Sequence, residues 1–101
     1  MKPRWSESAR RHLREVHDYI ARDSKINAKR LVARIKKAVE RLGKSPEAGW
    51  VVEDFDNPLL REIVVGSYRI LYAVMGKVAR ILAVHHGARR LPRMEQLLDD
   101  D

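Results

Sequence analysis

Between Leu59 and Arg89 the chain is cut into three apolar runs by two short turns, Gly66-Ser67 and Gly76-Lys77. Runs rich in Ile, Val, Leu and Tyr, separated by glycine-led pairs, read as an antiparallel three-stranded meander. Two-residue turns also dictate register. With Gly66-Ser67 at the tip, Val65 lies opposite Tyr68, Ile63 opposite Ile70 and Arg61 opposite Tyr72, all on one face. The other face carries Glu62, Val64, Arg69 and Leu71, with Glu62 and Arg69 as diagonal neighbours. Unbroken alternation through Gly76-Lys77 assigns Ile81 and Ala83 to the first face and Arg80, Leu82, Val84 and His86 to the second. A one-residue slip reverses such an assignment. The first face is the more apolar and is expected to be the covered one.

The cover is written upstream. Ala9, Leu13, Val16 and Ile20 recur at steps of four, three and four, one face of a helix over about 7–22 with Ser6 as its N-cap. Ala28, Leu31, Ile35, Ala38 and Leu42 repeat in the same way, with Val32 and Val39 widening the stripe. Asp23 or Ser24 caps this second helix, Gly43 is expected as a left-handed C-cap, and Pro46 prevents continuation. The connection between them is short, so the two helices form an antiparallel hairpin. Lys2 to Trp5 is a short extended start, and Trp50 to Glu53 is another short strand or extended segment. In the turn-like segment between Asp54 and Pro58, Phe55 anchors the loop to the core. Leu91, Met94, Leu97 and Leu98 give a short tail helix, or a segment that orders on a partner. The expected fold is thus α+β: an N-terminal strand, a helix hairpin packed on a meander, and a C-terminal helix, in one domain spanning residues 1–101.

Charge narrows the class of partner. The net charge of +7 points to an acidic partner, nucleic acid or an acidic protein segment. Lys25, Lys29, Arg30, Arg34, Lys36, Lys37, Arg41 and Lys44 face a single acid, Glu40, within their own stretch. Glu47, Glu53, Asp54 and Asp56 follow without a cation, and the chain ends Asp99-Asp100-Asp101. A protein that merely coats nucleic acid has no evident need of such acidic patches. No apolar run approaches the roughly 20 residues that cross a bilayer. The start is patterned at once, without the look of a signal peptide. With no cysteine in the sequence, a reducing cytoplasm is the simplest home.

Candidate chemistry is sparse. There is no glycine-rich phosphate loop and no nucleophile elbow, and Glu53, Asp54 and Asp56 have no histidine nearby. His12 and His17 are five apart, which does not stack them on a helix face. His85 and His86 point to opposite faces of a strand and do not readily share a metal. No metal or cofactor is expected. Arg69 has a structural partner in Glu62, and Arg61 one in Tyr72 through a cation–π contact. Arg89, Arg90 and Arg93 cluster after the last strand with no carboxylate before Glu95, a pattern suited to an anionic or protein partner.

Several segments, in this order, resemble the RelE/ParE superfamily of bacterial toxins, and its ParE branch most closely. They are Tyr19-Ile20-Ala21-Arg22-Asp23-Ser24, Ser45-Pro46-Glu47-Ala48-Gly49, Leu60-Arg61-Glu62-Ile63, Tyr68-Arg69-Ile70-Leu71-Tyr72 and Val84-His85-His86-Gly87-Ala88-Arg89. The resemblance implies a toxin of a type II toxin–antitoxin pair, not an enzyme, that stalls DNA gyrase on cut DNA. It implies a ParD-like antitoxin partner in a hetero-oligomer, and contact with nucleic acid only through gyrase or the antitoxin. Arg69, His86, Arg89, Arg90 and Arg93 are then the expected target contacts, with the helix faces and the open sheet edge left to the antitoxin. The alternative within the superfamily is a ribosome-dependent messenger-RNA nuclease using Arg61, Arg69, His85 or His86, and Arg89. After Arg89, however, the sequence offers no tyrosine to act as the acid.

Overall fold

A computed structural model describes residues 1–98; the acidic end, residues 99–101, lies outside the described residues. The elements follow in the order β1 (Arg4–Trp5), α1 (Glu7–Ala21), α2 (Lys25–Arg41), a 3-10 turn (Pro46–Ala48), β2 (Trp50–Val51), β3 (Leu60–Val65), β4 (Tyr68–Met75), β5 (Val78–His86) and α3 (Met94–Leu98). The strands form one sheet in the order β1-β5-β4-β3-β2. β1 runs parallel to β5, and the remaining neighbours are antiparallel.

Local signals account for most of the boundaries. The Ser6 hydroxyl accepts from the Ala9 N–H at 3.0 Å, and the Ser24 hydroxyl accepts from the Asn27 N–H at 3.1 Å, so each helix starts on a serine cap. Gly66 and Gly76 take φ of +58° and +64°, while Ser67 and Lys77 do not have positive φ, the requirement of a II′ hairpin turn. Gly43 departs from expectation. It has no left-handed φ. A Cβ there would stand 2.9 Å from the Met1 carbonyl oxygen, and the Met1 amino group donates to the Gly43 oxygen at 3.0 Å. Glycine is needed there because the N-terminus passes against it.

The helix hairpin covers the expected face. Ala9, Leu13 and Val16 of α1 and Ile35 and Val39 of α2 pack with Val65, Tyr68, Ile70, Tyr72, Ile81 and Val84 in the main core. The β3–β4 register matches the one read from the turn, with Val65 opposite Tyr68, Ile63 opposite Ile70 and Arg61 opposite Tyr72. The β4–β5 register does not stay regular. Tyr72 pairs with Ile81 but Leu71 pairs with Ala83, so Leu82 is an extra residue, a β-bulge. Beyond it the parity of β5 is reversed. Val84 joins the helix-covered face and Ala83 the other, and His86 stands opposite Tyr68 instead of on the side of Arg69.

The second face is covered too. Leu60, Leu71, Ala73, Leu82 and Ala83 pack with Val52 and with Leu97 of α3, and Phe55, Leu91 and Met94 close the cluster from the side. The bulge supplies Leu82 and Ala83 in succession to this cluster. Phe55 thus anchors its loop as expected, and the tail is a helix on the sheet.

Candidate functional site

The conspicuous polar chemistry lies where β4 begins and β5 ends, on the face opposite the hairpin. β4 projects Arg69 there, and the bulge brings His85 into register with it. The Arg69 guanidinium is not open. Its Nε and one terminal nitrogen donate to the two Glu62 carboxylate oxygens at 2.7 and 2.6 Å, a forked pair, and the Asp54 carboxylate stands 3.6 Å away. Both members of the main pair are largely removed from water, with side chains 21% and 14% exposed. The hydrogen bond to Glu62, reinforced by the two negative charges, holds Arg69 protonated more firmly than an ordinary arginine. The expected Glu62 partner is therefore present. Asp54, 15 residues before Arg69 in a loop, had no sequence signal linking it to that strand.

Arg61 is committed elsewhere. It does not serve as a cation stacked on Tyr72; one terminal nitrogen donates to the Glu47 and Gly49 carbonyls at 3.1 and 2.9 Å. Its Nε is buried with no hydrogen-bond partner. Tyr72, fully buried, donates its hydroxyl to the Pro46 carbonyl at 2.7 Å and accepts from the Gly49 N–H at 2.8 Å. Arg61 and Tyr72 together pin the loop between α2 and β2. Among the described residues the recorded cation–π pair is Arg22 over Tyr19, at 5.9 Å.

The two histidines divide as strand neighbours do. His86 meets the buried Tyr68 edge-to-face, with ring centroids 5.3 Å apart. Its Nδ1 accepts from the Ala88 N–H at 3.2 Å. His85 donates from Nε2 to the Arg89 carbonyl, 2.9 Å away. Together with the Gly87 N–H bond to the Ser67 carbonyl at 2.8 Å, these bonds fold residues 85–89 into a tight turn beside the β3–β4 hairpin. A Cβ on Gly87 would sit 3.8 Å from the Arg69 Cγ, so the turn rests on the Arg69 stem. The structure brings Arg69, His85 and the backbone of Arg89 together. It leaves His86 behind them as a packing residue.

The side chains of Arg89, Arg90 and Arg93 are exposed beyond this turn, and none is within ion-pair distance of a carboxylate among the described residues. They form a cationic rim. No group of three or more metal-ligating side chains occurs among the described residues. No helix there is long and apolar enough to cross a membrane. Sequence reasoning missed one surface feature. Trp50, on edge strand β2, is 79% exposed, and Val51 and Val64 are exposed near it. An outward tryptophan in a two-residue strand has no periodicity that marks its direction.

Over residues 4–91 the chain matches the family described as the ParE toxin of the type II toxin–antitoxin system, parDE. It belongs to that family. It is 34% identical over 86 residues to Toxin RelE2 of Caulobacter vibrioides, covering 84% of this chain and 93% of that protein. Its fold is similar to a solved chain of the chromosomal ParDE system from P. aeruginosa, with a TM-score of 0.70 and 21% identity over 85% of this chain and 95% of that one. This ParE-family chain is thus a type II toxin by family, with an α+β fold shared at low sequence identity.

Proposed function

We propose that this toxin acts on DNA gyrase as a non-enzymatic poison that blocks replication in the cytoplasm, and that a ParD-like antitoxin neutralises it in a hetero-oligomer. One observation carries the choice over RNA cleavage: the strand arginine, Arg69, is closed by a forked bond to Glu62 and flanked by Asp54. Cleavage through the ribose 2′-hydroxyl needs cations turned toward a phosphate, together with a base and an acid. Here Arg69 is neutralised, Arg61 is spent on loop carbonyls, His86 packs on Tyr68, and His85, although beside Arg69, has its Nε2 bonded to the Arg89 carbonyl. What remains is a rim of Arg89, Arg90 and Arg93, suited to grip a protein surface rather than to organise a reaction. The antitoxin is assigned the open outer edge of β2, where Trp50, Val51 and nearby Val64 offer apolar anchors beside unpaired backbone groups.

Induction of the toxin without its antitoxin is expected to give filamentous cells, a DNA-damage response and gyrase trapped on cleaved DNA, with messenger RNA intact. Changing Arg89, Arg90 and Arg93 to Gln together lowers trapping by roughly tenfold or more, the equivalent of ~1.4 kcal/mol of lost contact. Arg69 supplies the discriminating variants. Arg69→Gln alone strands Glu62 and costs about 2–4 kcal/mol of stability. The double change Glu62→Leu with Arg69→Met removes both charges and restores most of it. Because Glu62 closes Arg69, Arg69 is withdrawn from the target contacts first expected and the Arg89, Arg90 and Arg93 rim is kept, so the folded double variant keeps its toxicity under the gyrase reading. Ribosome-dependent cleavage of messenger RNA that disappears in this double variant would establish the nuclease instead.

A further inference from the structure

Most of the surplus of positive charge among the described residues sits on one layer of the molecule. Residues 7–44, the hairpin and its caps, contain twelve Lys and Arg against five Asp and Glu, a surplus of seven. The other described residues carry nine Lys and Arg against six Asp and Glu, a surplus of only three. On α2 the cations are also ordered. Arg30, Arg34, Lys37 and Arg41 follow at steps of four, three and four. At 100° per residue they fall within one narrow stripe, about 16 Å long. All four are exposed, and none has a carboxylate within ion-pair distance among the described residues. Like charges at i, i+4 oppose helix formation, so the row works against the stability of α2.

We infer that the outer row of α2, Arg30, Arg34, Lys37 and Arg41, is a binding surface for the phosphate backbone of duplex DNA, contacted directly by the toxin. An acidic amphipathic peptide needs apolar anchors as well as charge. The four-residue row itself contains none; the exposed apolar residues of α2 are Ile26, one turn before Arg30, and the small Ala33, and the others are buried or half-buried. A phosphate backbone asks only for spaced cations. The opposite side of the molecule carries the exposed acids Glu53, Asp54 and Asp56, so the charge distribution turns the hairpin toward a polyanion. This departs from the sequence-based expectation that nucleic acid is met only through gyrase or an antitoxin. It is also independent of the gyrase reading, which rests on the Arg89, Arg90 and Arg93 rim.

The test measures binding of the purified full-length toxin to a fluorescent 30-base-pair duplex of arbitrary sequence between 50 and 200 mM KCl. Four phosphate contacts give a slope of log K against log salt of about −3.6, or roughly a hundredfold loss of affinity over that range. Changing all four row residues to Gln flattens the slope by about 3 to 4. Changing Lys77, Arg89, Arg90 and Arg93 to Gln removes the same charge from the sheet side and leaves most of the slope in place. Circular dichroism confirms that both variants fold. Equal losses in the two variants would reduce the effect to bulk charge and overturn the assignment. So would an absence of duplex binding at 50 mM KCl, or displacement of the duplex by polyglutamate at matched charge, which would give the row to an acidic peptide. The gyrase-trapping assay on the sheet-side variant is scored separately, so either reading can fail alone.

Discussion

Tyr72 organises the end of the sheet nearest the edge strand. Its ring is part of the main core, while its hydroxyl bonds the Pro46 carbonyl and the Gly49 N–H of the preceding loop. Gly49 is required for this approach, since a Cβ there would fall 2.5 Å from the hydroxyl oxygen. Tyr72→Phe keeps the ring and leaves the Gly49 N–H without its acceptor, at a cost of about 1–3 kcal/mol, read as a lower urea midpoint. Burial raises the Tyr72 pKa above the ordinary tyrosine value, with the Gly49 bond and Arg61 opposing in part. The native state then holds its proton where the unfolded chain has lost it. The stabilisation is complete below pH ~10 and declines as pH rises through the raised value. The urea-derived stability of the parent protein therefore falls more steeply above pH ~10 than that of Tyr72→Phe. Parallel profiles would remove Tyr72 from the account.

At the scale of elements, α3 and the loop around Phe55 do for one face what the helix hairpin does for the other. Leu97 is 4% exposed against Leu60, Leu71 and Leu82. Leu97→Asp places a carboxylate in that apolar cluster, and releasing the tail is the cheaper response. The expected result is increased binding of a hydrophobic dye and a loss of about 2–4 kcal/mol in stability, the range of a lost core leucine, with the helical signal of α1 and α2 retained. The boundaries of these elements were largely legible, because a serine cap, a glycine at the head of a II′ turn and a 3.6-residue stripe all act within a few residues. The tail was legible as a helix, but its docking was not. The β-bulge left no such mark: Ile81-Leu82-Ala83-Val84 is continuously apolar, so nothing in its alternation shows a change of parity. That one residue moved His86 off the face of Arg69 and put His85 there.

Over the described residues, charge is segregated: a hairpin layer with a surplus of seven positive charges lies over a sheet side with a surplus of three. Self-repulsion within the hairpin destabilises the folded state and is screened by salt. The Arg69–Glu62 pair, the closest Arg–carboxylate pair recorded among the described residues, is shielded by burial and is weakened little in exchange. The melting temperature is therefore expected to rise between 20 and 300 mM KCl, by about 2–4 °C for a relief of ~0.5 kcal/mol in a domain of this size. The Gln variant of the α2 row has the smaller rise; an equal one in a differential scanning experiment contradicts the segregation.

The amino-acid sequence by itself determined the helix hairpin, the meander, the two glycine-led two-residue turns and the order of elements, since those follow from propensity, capping and hydrophobic period between near neighbours. Only the tertiary structure decided which cations are spent and which are offered. Arg69, whose Glu62 partner was already legible, meets Asp54 as well, Arg61 meets the carbonyls of the loop at Glu47 and Gly49, and Gly43 meets the N-terminus. Each of these encounters joins segments that are brought side by side by the register of the sheet and the packing of its two covers, and a bulge of one residue is enough to change the partners.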